Sequence, residues 1–145
     1  YKIVANDLST VGTSQTDPDL RFINSSGSVI SASNYDYAHL IMQTGSSFTE
    51  QRATGQAQLY RFFSESVDQS PESGSQVSYI FNPFSSSSYS FAIYQSFTAT
   101  AGVKIAMKGI GVLKQAASMT GFQVRDSNTT RPFAGGTISV YGVKG

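Results

Sequence analysis

The chain has 145 residues, 13% of them charged, a net charge of +1 and no cysteine. That length suits a single domain able to bury roughly two-thirds of its unfolded surface. Without cysteine there are no disulfides, no thiolate metal sites and no cysteine nucleophile. Lys and Arg are scattered, which argues against an electrostatic nucleic-acid footprint, and no apolar run approaches the ~18 residues of a membrane span. Solubility rests on hydroxyls, with 24 Ser and 12 Thr.

Helical periodicity is scarce and period-2 alternation recurs, so the predicted elements are strands. Leu20 to Ile23 precedes Asn24-Ser-Ser-Gly27, a turn that folds back into Val29-Ile30. Tyr35 to Met42 follows, then Gln56 to Phe63, which alternates over its first half. Val77, Tyr79 and Phe81 alternate with Gln76 and Ser78, and Asn82-Pro83 closes that strand. Tyr89, Phe91, Ile93 and Phe97 share the expected inward face of a long strand, with Tyr94 opposite and exposed. Val103, Ile105 and Met107 face in, with Lys104 and Lys108 outward. Met119 to Asp126 turns Phe122 and Val124 inward, and the last strand, within Phe133 to Val143, buries Ile138 and Val140 with Tyr141 opposite. About eight to ten strands with Gly, Ser, Asn and Pro punctuation predict an all-β antiparallel sandwich, jelly-roll-like, as one domain over residues 1–145. The chain opens at Tyr1 without Met. It is read as the C-terminal part of a longer chain.

Ser9 to Pro18, Ser64 to Ser75 and the serine run Ser85 to Ser88 read as exposed loops. Recognition is expected in loops held by a rigid scaffold. The candidate binding residues are therefore Asp68 and Glu72 in one loop, Ser85, Ser86, Ser87 and Ser88 in another, and Tyr94 on an exposed strand face. Tyr141 is the candidate interface residue.

No catalytic set is assigned. His39 is the only histidine, and one imidazole in a predicted strand without a nucleophile-elbow motif reads as structural. Asp17-Pro18-Asp19 offers oxygen ligands, but Ca²⁺ takes six to eight of them. An Asx-type turn explains these residues more cheaply. No carboxylate pair is placed for glycoside hydrolysis. Gly109-Ile110-Gly111 lacks the third glycine and the βαβ setting of a dinucleotide site, so a strand bend or bulge is expected. No metal or cofactor is expected. Asn24 and Asn128 head sequons that matter only on a eukaryotic secretory route.

Four stretches together carry a resemblance: Leu20 to Ala38, Tyr79-Ile-Phe-Asn-Pro83, Met119 to Val124 and Phe133 to Val143. Their wording and order resemble β-sandwich domains of bacteriophage virion proteins of the tail-fibre or structural type. The resemblance implies a non-enzymatic module displayed on the virion surface, on tail or capsid, as a homotrimer among other virion proteins. It would attach to a host-surface glycan or protein, without nucleic-acid binding or membrane insertion. A capsid-decoration or head-fibre protein is the alternative, and a carbohydrate-binding module of a secreted protein a further one. The recurrent positions Arg21, Tyr35, Asn82, Gly136, Tyr141 and Gly142 are implied to be structural. The missing cysteines fit folding in a reducing bacterial cytosol before work outside a cell.

Overall fold

The computed structural model describes residues 1–11, 15–45, 48–65, 67, 71–100, 102–127 and 132–143. These form nine strands: β1 (Lys2–Thr10), β2 (Pro18–Asn24), β3 (Tyr35–Gln43), β4 (Thr49–Gln56), β5 (Gly74–Phe81), β6 (Ser90–Thr100), β7 (Val103–Leu113), β8 (Met119–Asp126) and β9 (Phe133–Tyr141). Seven make one sheet in the order β4-β3-β7-β6-β5-β1-β9, and β2 and β8 pair apart from it. All pairs are antiparallel. The all-β sandwich-like fold expected from the alternation is what the chain builds, with its strands divided seven to two.

Two strands alone cannot cover seven. The segment after β4, residues 57–65 with Val67, widens the second layer by running beside β2. Leu20 and Leu59 exchange backbone hydrogen bonds of 3.1 and 3.0 Å, Thr16 and Val67 bonds of 2.9 and 2.8 Å, and the Phe63 N–H reaches the Pro18 carbonyl at 3.1 Å. Leu59, Phe62, Phe63 and Val67 from this segment are fully buried, with Leu20 and Phe22 of β2. The Tyr35 hydroxyl ties the layers together, accepting from the Phe22 N–H at 2.9 Å and donating to the Ile30 carbonyl at 3.0 Å.

This covering layer reverses the expected facing of β6 and sets that of β5. Ser90, Ala92, Tyr94, Ser96 and Thr98 point into the core, and so do Gln76 and Ser78. Tyr79, Phe81, Phe91, Ile93 and Phe97 point out, and the exposed Tyr89 precedes β6. The reason is volume. Bulky aromatics, Phe62 and Phe63, arrive from the covering segment, so the sheet beneath them carries small side chains, since interiors tolerate little over- or underfilling.

The glycines of β7 answer the same demand. A Cβ on Gly111 would lie 2.7 Å from Leu59 Cδ2, and one on Gly109 only 2.3 Å from Tyr94 Cζ. The register through both is continuous against β3 and β6. The expected bend or bulge is absent there, and the glycines make room for side chains. Register shifts occur elsewhere, between Tyr35 and Tyr37 against β4, between Ile23 and Asn24 against β8, and in β1 beyond Asn6, where Asp7 takes a φ of 52°. Gly136 faces the irregularity of β1 with a φ of 109°, and a Cβ on it would meet the Asp7 carbonyl oxygen at 2.8 Å.

Other expectations shift for related reasons. Ile138 and Val140 face the same side as their buried partners Ala5 and Ile3, but β9 is an edge strand. The second layer stops short of it, leaving them 38% and 51% exposed. Ser9 and Thr10 belong to β1, and Ser9, Thr10 and Thr16 are buried. Ser64, Glu65 and Val67 are buried, while Gly74 and Ser75 open β5. The expected strand Gln56 to Phe63 is the end of β4 followed by the irregular covering segment. Asn82 has a φ of 57° and turns the chain before Pro83, as expected. The resemblance implies a structural role for Gly142, but a Cβ there would meet nothing within 4 Å, so no close backbone approach requires a glycine.

Candidate interaction surface and buried polar cluster

Antiparallel register sets residues of neighbouring strands side by side on one face. On the outer face one row crosses all seven strands: Tyr141, Lys2, Tyr79, Ile93, Ile110, Ala38 and Arg52. One row further along, Phe81, Phe91, Val112 and Asp36 stand adjacent. On the other side Val77, Gln95, Lys108, Leu40 and Glu50 continue the face. The rows through Ile93 and Phe91 are therefore aromatic and aliphatic over the central strands, whereas Gln95 on β6 and Lys108 on β7 make the third row polar at its centre. A shallow concavity of about 890 Å³ runs over the face between Tyr79, Ile93, Ile110 and Leu40.

The inner face holds a different row: Gln51, His39, Gly109, Tyr94, Ser78, Ile3 and Val140. Because Gly109 has no side chain, Tyr94 reaches across it and donates to His39 Nδ1 at 3.2 Å. His39 Nε2 donates to Gln51 Oε1 at 2.9 Å, which places the ring proton on Nε2. Tyr37 stacks on the imidazole with ring centroids 5.4 Å apart. Burial holds the His39 pKa below its usual value.

From Gln51 the network continues to Arg61, whose Nη1 lies 3.4 Å from the same Oε1. Arg61 pairs with Glu65 at 2.6 Å and Asp17 at 3.1 Å, and its guanidinium lies 5.0 Å from the Tyr60 ring centroid. The Tyr60 hydroxyl donates to Asp17 Oδ2 at 2.5 Å. Arg61 adopts a φ of 54°, which aims its N–H at Asp19 Oδ1, 2.9 Å away. Gln58 Nε2 donates to Asp19 Oδ2 at 2.7 Å. Burial pushes the Asp19 carboxyl up to about 7, opposed by the Arg61 N–H. Asp17 and Asp19 thus bind protein donors around Arg61 and not an Asx turn. Thr16 reaches Asp126 on β8 in the same layer. This network joins β3 and β4 to the covering segment, and its side chains answer one another. Among the described residues no three His, Asp or Glu side chains group as metal ligands.

The sequence-predicted binding residues do not converge. Tyr94, expected to be exposed, is buried against Phe62, with ring centroids 4.9 Å apart. Asp68 lies outside the described residues. Glu72 is half-buried before β5, and its Oε1 accepts the Gly102 N–H at 3.3 Å. Ser85 is half-buried and Ser86, Ser87 and Ser88 are exposed after β5. The two loops thus sit at opposite ends of β5, about 25 Å apart at the rise of a strand. Tyr141 stands at the margin of the outer face, opposite in direction to Ile138 and Val140, as expected.

The outer face itself was missed in the sequence. One signal pointed to it. Gly109 and Gly111 flank Ile110, and glycines at alternate positions of a strand mark the face something bulky approaches. Ile110 then has to face the other way.

No family model, curated protein or solved structure matches the chain. What fold and surface define is an all-β sandwich-like protein whose broad sheet presents an apolar face to the outside.

Proposed function

We propose that this chain is a non-enzymatic structural module of a bacteriophage virion, of the tail-fibre, receptor-binding type. It attaches the particle to a glycan or protein on the host surface. The observation that carries the reading is the distribution of chemistry in the fold. The titratable side chains of the interior are engaged by hydrogen bonds and ion pairs within the fold, while a row of large apolar groups stands outside on the seven-stranded sheet. That is the build of a protein that works by contact. The resemblance of Leu20 to Ala38 and Phe133 to Val143 to virion sandwich domains supports the setting. The exposed loop Ser86 to Ser88 is the first candidate for host contact. Weak contacts repeated over several copies raise avidity by about 10² to 10⁴ without new contacts.

Antibodies against the chain test the reading on phage particles by electron microscopy. Labelling at the tail tip, with labelled chain binding the host cells that the phage infects, is the expected result. Labelling over the head moves the protein to capsid decoration, and a chain found on no particle ends the virion reading.

A further inference from the structure

We infer that the free edge of β8 is a docking site for a short extended strand of a different protein, which completes the second layer of the sandwich. The site is independent of the host contact proposed above. In an antiparallel pair, residues alternate between exchanging both backbone hydrogen bonds with the partner strand and turning both away from it. Leu20 of β2 bonds through both groups to Leu59, and Phe22 gives its N–H to the Tyr35 hydroxyl and accepts the Ile30 N–H. Their partners on β8, Val124 and Phe122, therefore turn their own N–H and C=O groups the other way, towards the free edge. Among the described residues nothing bonds to these four groups, and β8 pairs with β2 alone.

The side chains of the same two residues point inward and stay half-buried against the core. On the opposite layer Ile138 and Val140 of β9 are 38% and 51% exposed, because the two-stranded layer stops short of them. A cleft of about 360 Å³ opens there, lined by Ile3, Phe122 and Val140 with Met119 and Phe84 towards one end. One wall thus offers a row of backbone donors and acceptors, and the other a row of aliphatic side chains. An extended strand answers both at once. Its backbone bonds to the edge, and every second side chain, about 7 Å apart, enters the cleft. A small apolar ligand would fill the cleft and leave the four backbone groups to water. The register shift between Ile23 and Asn24 ends the regular ladder on one side, and Thr16 engages Asp126 on the other. The pairing stretch is therefore short and suits a loop or terminus of a partner chain, with aliphatic or aromatic residues at alternate positions. The β8 of a second copy does not fit, since edge-to-edge pairing would drive the overhanging β9 of each copy into the other. The free edge of β4 offers no apolar row, as Glu50, Arg52 and Thr54 alternate with Gln51, Ala53 and Gly55.

A display library of random peptides of about seven residues, screened against the whole chain, tests this. Selected binders are expected to carry apolar residues at every second position. In a synthetic copy of one binder, N-methylation of one alternate set of amides is expected to weaken binding at least about tenfold, and of the other set to leave it unchanged. Val140→Asp, with an unchanged far-UV spectrum, is expected to weaken binding to a similar degree. Hydrogen exchange read by NMR locates the peptide. The Phe122 and Val124 amides are expected to exchange freely in the chain alone and to slow when the peptide binds, while Gln123 and Arg125, bonded to β2, stay slow throughout. A library without binders overturns the inference, as does a peptide indifferent to both methylation patterns or one that leaves Phe122 and Val124 unprotected. Protection of these amides in the chain alone also overturns it. Present at every concentration, it marks a segment of the same chain as the occupant, and rising with concentration, the β9 of a second copy. No phage particle or host cell enters these readouts, so the docking site and the virion reading fail separately.

Discussion

Tyr94 and His39 meet across a strand that separates them. Tyr94 belongs to β6 and His39 to β3, with β7 between, and the hydroxyl lies 3.2 Å from Nδ1 above the bare backbone of Gly109. The contact orients the imidazole and settles its proton on Nε2, facing Gln51. One missing side chain thus lets a polar chain run from β6 to Arg61 beneath the sheet.

Gly109→Ala is expected to break this arrangement. Its Cβ would fall 2.3 Å from the Tyr94 ring, an overpacking worth about 1–3 kcal/mol of stability. Gly142→Ala, in open space, is expected to be close to neutral. Tyr94→Phe keeps the ring but leaves buried Nδ1 without its donor, at a cost of about 1–3 kcal/mol. Urea denaturation of the three variants checks the order, and equal midpoints for Gly109→Ala and Gly142→Ala would contradict the crossing geometry.

Asp19 makes stability depend on pH in a stated direction. Burial raises its carboxyl from 3.8 to about 7 in the folded chain. The folded state therefore holds this proton where the unfolded state has released it. The contribution is full below about pH 4 and is lost as pH rises towards about 7, amounting to at most roughly 4 kcal/mol. Glu65, also raised by burial, acts in the same direction, and His39, lowered by burial, opposes it at acid pH. Asp19→Asn isolates the effect, because an amide oxygen still accepts the Arg61 N–H. The variant is expected to gain on the wild type steadily between pH 4 and 7, read as the difference in unfolding free energy. A pH-independent difference removes Asp19 as the source.

The facing of β6 predicts an unusual ranking of phenylalanines. Phe62→Ala removes a fully buried ring from the covering segment and is expected to lose about 3–5 kcal/mol. Phe91→Ala, on the outer face, is expected to lose under about 1 kcal/mol. Thermal unfolding of both variants tests this, and the reverse ranking would place Phe91 in the core.

The sequence by itself determined where the chain is extended. Period-2 alternation marked β3 and β5 to β9 in their correct order, and with them the all-β sandwich-like class. It also placed Tyr141 opposite Ile138 and Val140, since neighbours along a strand must diverge. Alternation has no sign, however. The pattern of Ser90 to Thr98 is the same whether aromatics or hydroxyls face inward. Only the tertiary structure decided it, through an irregular segment, residues 57–65, whose lack of periodicity hid its role as the lid of the core. Its Leu59, Phe62 and Phe63 fill the volume the sheet leaves, so the aromatics of β5 and β6 turn outward. The polar network was hidden for the same reason. His39, Gln51, Arg61 and Asp19 are far apart along the chain, and their convergence depends on which face of β3 is covered, a matter of packing.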